Sequence, residues 1–86
     1  MVNISRNMKA KIIVMPKRTV LDPQGVTVKQ ALESMHFNGI RGVRVGKFME
    51  IELEDGDKAA LQKKIDDACH KLLSNPVIEE YTFEVV

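Results

Sequence analysis

Two histidines, a single cysteine and a run of carboxylates are the side chains here whose chemistry could go beyond packing. Neither His36 nor His70 has a second imidazole or thiol at metal-ligand spacing, and Cys69 lacks a Cys-x-x-Cys partner. The histidines therefore read as surface or capping groups. Cys69 and His70 are adjacent in sequence, but neighbours on a helix point in different directions, so they do not form a nucleophile–base pair. A structural thiol is expected. Glu50, Glu52 and Glu54 alternate, which places them on one face of a strand, and Asp55 and Asp57 follow in a turn without the ligand spacing of a calcium loop. They mark solvent or a polar interface rather than paired catalytic acids. Gly39, Gly42 and Gly46 spell neither a dinucleotide fingerprint nor a phosphate loop. They read as turns and a strand bend. Arg41 to Phe48 holds one aromatic, too few for the base-stacking strand of an RNA-recognition domain. No set of residues converges on a reaction, so binding rather than chemistry is the expected role.

With 86 residues, 44% apolar and 29% charged, the chain fits one domain. Such a length buries about 64% of the surface its unfolded form exposes, a thin margin for a monomer. The core must be built without Trp, with one Tyr and three Phe, so Val, Ile, Leu and Met do the filling. A net charge of +1 excludes the strongly basic field of a dedicated nucleic-acid binder. One cysteine forms no internal disulfide, no signal-peptide pattern is present, and no apolar run approaches the ~20 residues that span a bilayer. A soluble, cytoplasmic protein is expected, with neither nucleic acid nor membrane among its partners.

The elements follow from periodicity. Residues 1–7 precede the first pattern and are expected to form a mobile extension before a single unit over residues 8–86. Met8, Ala10, Ile12 and Val14 alternate with Lys9 and Lys11 up to Pro16, which reads as a strand. Ile13 and Met15 make one end apolar on both faces, so a loop or a partner chain should cover it. Asp22-Pro23 then offers an N-cap and a first-turn proline, and Val28, Ala31, Leu32 and Met35 give a helix with an apolar stripe, closed by His36-Phe37-Asn38-Gly39 with Asn38 and Gly39 left-handed. Arg41 to Glu54 admits two readings. A tight hairpin at Gly46-Lys47 would set Val43 opposite Glu50 and Arg44 opposite Met49, which mixes the faces. A single long strand bent at Gly46 keeps Val43, Val45, Met49, Ile51 and Leu53 together, with only Lys47 out of place. The long strand is preferred, and it exceeds what so small a sheet can pair, so a second protomer should complete it, with Lys47 near the two-fold contact. Asp57 caps a second helix on Leu61, Ile65, Ala68 and Leu72, stopped by Asn75-Pro76. Tyr81, Phe83 and Val85 define a last strand. The expected fold is α+β: a ferredoxin-like-related β-α-β-α-β order, its long middle strand bent, its antiparallel sheet backed by two helices and completed by dimerisation.

Three segments, taken in order and at their spacing, resemble the PurS family, the small subunit of phosphoribosylformylglycinamidine synthase. They are Leu21-Asp22-Pro23-Gln24-Gly25, Val43-Arg44-Val45-Gly46-Lys47-Phe48 with Glu50, and Lys71 to Tyr81. The resemblance covers Met8 to Val86; Ser74 stands where the family pattern has Ala. It implies a chain without an active site of its own, inside a carbon–nitrogen ligase that uses glutamine as amido donor in purine biosynthesis. A glutaminase subunit would release ammonia, and a large synthetase subunit, carrying ATP and Mg, would activate formylglycinamide ribonucleotide and accept it. The small subunit, a homodimer or a tetramer, would bind no cofactor or metal, hold the other two together and assist ammonia transfer. Contact residues would then be Arg41, Arg44 and Lys47 as exposed donors for partner carboxylates, Asp22, Gln24 and Gly25 before the first helix, Gly46 at the bend, and Asn75. A competing reading is a dimeric regulatory domain that binds a small metabolite between protomers.

Overall fold

The alternation of β1 (Met8–Pro16) makes it the centre of the molecule: Ala10, Ile12 and Val14 are fully buried on one face. The computed structural model describes residues 7–86, so the extension expected over residues 1–7 lies, but for Asn7, outside the described residues. β2 (Lys47–Leu53) pairs antiparallel with β1 from Met8↔Leu53 to Val14↔Lys47. On the other side β3 (Glu79–Val85) pairs antiparallel from Ala10↔Val85 to Pro16↔Glu79, giving the order β2-β1-β3. That register sets Met49, Ile51 and Leu53 and, across β1, Tyr81, Phe83 and Val85 on the face of Ile12, as the period of two requires. Outward, Lys9 stands opposite Glu52 and Lys11 opposite both Glu50 and Glu84, so opposite charges flank one another across the ladder.

The inner face is covered by α2 (Lys58–Ala68), which continues into a single π-helical turn, Cys69–Leu73. Asp57 caps it, accepting from Ala60 N–H at 3.2 Å. Ile65 and Cys69 are buried against β1, with Leu61 and Leu73 packed beside them. Leu72, which the helical spacing assigns to the buried stripe, is exposed, because the wider π turn rotates the last residues past it. Ser74 closes the turn through N–H and Oγ, both donating to the Cys69 carbonyl.

α1 (Pro23–Ser34) behaves differently. Its N-cap is Asp22 and Pro23 opens it, as the sequence predicts. Its apolar stripe, however, is not buried within the chain: Val28 is 40% exposed and Met35 74%, and Leu32 alone of the four is half-buried. The helix makes no more than marginal contact with the strands or with α2. The left-handed residues that follow it are His36 (φ 65°) and Gly39 (φ 86°), not Asn38. The left-handed turn comes two residues sooner than the Asn-Gly pair suggests, at His36 rather than Asn38, and histidine tolerates that region better than most side chains. The described chain measures 51 × 36 × 16 Å with a radius of gyration of 17.3 Å, against about 12 Å for a compact domain of this length. α1 and the return segment 37–46 form an arm.

No hairpin forms at Gly46-Lys47. The chain runs through Gly46 into β2, and Met49, Ile51 and Leu53 face inward while Glu50 and Glu52 face out, in the phase of the single-strand reading. The strand itself is shorter than that reading proposes, because residues 41–46 carry no ladder within the chain. The β1–β2 ladder stops at Val14↔Lys47, although β1 itself runs on to Pro16 and pairs there with β3. On the outer face Ile13 is 46% exposed and Phe48 59%, so among the described residues no loop covers them, while Met15 is half-buried beside Gly46.

Candidate functional site

The segments that stood apart in sequence meet at the end of the sheet where β1 hands over to α1. The Asp22 carboxylate is the hinge. Its Oδ1 accepts from Gly25 N–H at 3.0 Å and its Oδ2 from Val45 N–H at 2.8 Å, so one side chain both caps α1 and holds the return segment against the helix start. Those backbone donors, Gly25 first and then Val45, hold the carboxyl below its ordinary value against the opposing effect of burial, with smaller pulls from Gln24 N–H and the Arg44 charge. Gly25 is the buried residue of α1 because the Val43 carbonyl crosses it closely: a Cβ there would sit 2.1 Å from Val43 O. Gly46 has the same reason, since a Cβ would lie 2.4 Å from Val14 O and 2.2 Å from Met15 Sδ.

Arg44 ties in the third segment. Its Nη2 donates to the Pro16 carbonyl at the end of β1 and to Glu80 Oε1 of β3 at 3.1 Å. Arg44 is therefore not the free rim donor that its place in the strand pattern suggests. The reading failed because residue 44 precedes the paired part of β2 and folds back over the β1–β3 edge. Its Nε is buried without an acceptor. Asn75 also has an internal role: its Oδ1 accepts from Val77 N–H at 3.1 Å, its carbonyl from Ile78 and Glu79, and its N–H donates to Glu79 Oε1 at 2.7 Å. It shapes the turn into β3.

Of the other candidates, Gln24, Arg41 and Lys47 are exposed side chains with no side-chain hydrogen bond or ion pair among the described residues. Gln24 borders an apolar groove of about 450 Å³ between the start of α1 and Val45. The corner encloses a second concavity, about 300 Å³, whose rim carries Lys17, Arg18 and Arg44. Lys17 and Arg18 are the residues the sequence reading passed over; two adjacent cations directly after a strand-ending proline were the available signal. Chemically this corner can bind and position. Among the described residues no group of three His, Cys, Asp or Glu side chains stands together as a metal site, and no described helix is long and apolar enough to cross a membrane. Cys69 is fully buried, and burial followed by the nearby Asp66 charge pushes its thiol up. Tyr81 OH donates to Asp66 Oδ1 at 2.6 Å, and this bond, then burial, raises the phenol to about 12.

Comparison with known proteins bears on this arrangement. Residues 9–86 match the family model described as PurS, phosphoribosylformylglycinamidine (FGAM) synthase. The chain is 47% identical over 77 residues to the phosphoribosylformylglycinamidine synthase subunit PurS of Bacillus subtilis, covering 90% of each, and 37% identical over 83 residues to that of Synechocystis, covering 96% of this chain and 83% of the relative. Among solved structures it superposes on Bacillus subtilis PurS with a TM-score of 0.80 at 46% identity, covering 92% of this chain and 98% of that one. It also superposes on a chain of the Thermotoga maritima PurLQS structure with a TM-score of 0.81 at 31% identity, covering 93% and 98%. With its fold and nearly all of its length in common with these proteins, the chain belongs to the PurS family of phosphoribosylformylglycinamidine synthase subunits.

Proposed function

We propose that this chain is the assembly subunit of the synthase that converts formylglycinamide ribonucleotide to the amidine in purine biosynthesis, contributing no active site of its own. It bridges a glutaminase subunit and a large synthetase subunit in the cytoplasm and assists ammonia transfer, while ATP and Mg reside on the large subunit. Residues 8–86 are the working unit, and residues 1–7 an extension outside it. The observation that carries this reading is the arm: an α1 whose apolar stripe is left largely exposed by the described residues calls for cover from another chain. A second copy supplies the first cover, so the working form is at least a homodimer, paired through the arm and residues 41–46, with Lys47 near the two-fold. The Thermotoga maritima relative lies in a PurLQS structure, which supports membership of such an assembly here. Gln24, Arg41 and Lys47 are the contact residues the geometry leaves free; Asp22, Gly25, Arg44, Gly46 and Asn75 serve the contact by shaping the surface behind it.

The test is reconstitution. The chain should co-elute with the glutaminase and synthetase subunits when glutamine and Mg-ADP are present. Glutamine-dependent turnover should vanish when it is left out, while turnover with added ammonia persists on the synthetase alone. Full glutamine-dependent turnover without this chain would sink the proposal.

A further inference from the structure

We infer that the concavity at the β1–α1 corner is a binding site for the phosphate group of a small metabolite. It goes beyond the assembly role and does not depend on it. The argument starts from the charges. Three cations, Lys17, Arg18 and Arg44, border a hollow of about 300 Å³, near the lower end of the range for small-molecule sites. Asp22 is the acid among the lining residues; its charge acts on Arg44, which Glu80 also pairs, so the positive excess at the hollow comes from Lys17 and Arg18. Among the described residues, Lys17 and Arg18 have no side-chain hydrogen bond or ion pair. On Arg44, Nη2 is engaged by Pro16 and Glu80, Nη1 has no protein acceptor, and Nε is buried unpartnered. An oxyanion beside the guanidinium is the partner that suits the remaining Nη1 donors, and such charge-assisted hydrogen bonds are among the stronger ones.

The placement is that of a site built by the fold. Lys17 N–H is tied to the Ile78 carbonyl and its own carbonyl accepts from Val20 N–H, so the turn that presents Lys17 and Arg18 is fixed at both ends. Arg44 is fixed by its two acceptors. The remaining wall is apolar, from Val20, Leu21, Val26 and Val43, which suits the body of a phosphate monoester better than a free ion or an extended acidic peptide.

The test is titration of the ¹⁵N-labelled full chain at constant ionic strength with inorganic phosphate, ribose 5-phosphate, chloride and tetraglutamate, read by amide chemical shifts. Saturable shifts confined to Arg18, Thr19, Val20 and Val43–Val45, tighter with ribose 5-phosphate than with phosphate, are expected. Lys17→Glu with Arg18→Glu should weaken binding about tenfold or more, the scale of a lost charge-assisted hydrogen bond. Lys63→Glu with Lys64→Glu, the same charge change on the exposed side of α2, should leave affinity unchanged. Arg18→Gln is the milder variant, and it should lose part of the affinity with the melting temperature unaltered. Equal shifts with chloride, shifts that do not saturate, or full affinity in the Lys17/Arg18 variant would overturn the assignment. Saturation by tetraglutamate but not by phosphate would overturn it too, and give the hollow to a partner's carboxylates instead.

Discussion

Gly25→Ala sets two physical effects against each other, and the corner geometry decides the sign. Gly25 lies in the first turn of α1, and by helix propensity alone alanine there should stabilise by up to about 1 kcal/mol. Against this, the added Cβ would sit 2.1 Å from the Val43 carbonyl oxygen and 2.7 Å from Asp22 Oδ2, and the first of these is backbone that no rotamer change can clear. Relief requires the return segment to retreat by roughly 1 Å, which stretches the Val45 N–H bond to Asp22 beyond hydrogen-bond range. Overpacking of a closed site costs about 1–3 kcal/mol, and a backbone clash belongs at the upper end. Net of propensity, a loss of about 2 kcal/mol remains, which for a chain of this size lowers the melting temperature by about 8–16 °C. Far-UV circular dichroism at 222 nm reads it directly, because α1 supplies 12 helical residues beside the 11 of α2. Melts belong at two or more fixed protein concentrations, since association contributes to the apparent stability. Gly42→Ala is the control: its Cβ would meet nothing within 4 Å, so a change within about 0.5 kcal/mol is expected. A Gly25→Ala chain that melts at or above the parent temperature would refute the claim that the Val43 crossing makes this residue glycine.

Tyr81 is the one tyrosine, and there is no tryptophan, so its ionisation can be followed at 295 nm without interference. A midpoint near 12 is expected, and Asp66→Asn should bring it down. Because the folded chain keeps that proton longer than the unfolded chain, whose phenol titrates near 10, the phenol's contribution to stability is complete below pH 10 and declines between pH 10 and 12. Asp22 has the opposite sense. Its folded value lies below 3.8, so its contribution is present at neutral pH and is lost as pH falls from 3.8 through the depressed folded value. Asp22→Asn, with one amide oxygen for two N–H donors, should melt lower at pH 7 and show a shallower acid limb in a pH series of melts. Cys69 is buried with its thiol pushed up, so a thiol reagent such as DTNB should label it only as fast as the chain unfolds. Val28→Asp with Met35→Asp, on the uncovered stripe of α1, should reduce the sedimentation coefficient from dimer to monomer while leaving the β1–α2 core folded.

Much of this architecture is written in local patterns. Ala10, Ile12 and Val14 alternate strictly and become the buried row of the central strand, and Asp57 and Asp22 are caps because short acceptors before a helical period have little else to do. The phase of β2 was legible from Met49, Ile51 and Leu53, yet its length was not. Periodicity describes which face a residue would take in a strand, whereas the start of the ladder depends on the partner strand, and β1 pairs with β2 only up to Val14. The fate of the α1 stripe was hidden for a related reason: Val28 and Met35 announce that something apolar must cover them without saying whether it is the same chain. Arg44 was misread because its acceptors, Pro16 and Glu80, lie 28 and 36 residues away. Lys17 and Arg18 were passed over because an adjacent cation pair acquires meaning only when a third cation and a hollow are brought to it.

The residues that make the family recognisable are mostly committed inside the chain. Asp22 and Gly25 are held by Val43 and Val45, Arg44 by Pro16 and Glu80, and Asn75 by Glu79. Their common effect is geometric. α1 has no packed interface with the sheet or with α2, so its direction is set where it starts, by the carboxylate that caps it and the carbonyl that crosses it. A rigid corner thus aims an apolar stripe away from its own core, and the cost of ordering that stripe is met before a second chain arrives. An assembly subunit of 86 residues has little core with which to recruit others; fixing the angle of one arm lets it present a formed surface without a larger one. Substitutions at the corner should therefore act on assembly through the aim of α1, and substitutions at Gln24, Arg41 and Lys47 through the contact itself, so the two groups are separable by whether the isolated chain changes its helix stability.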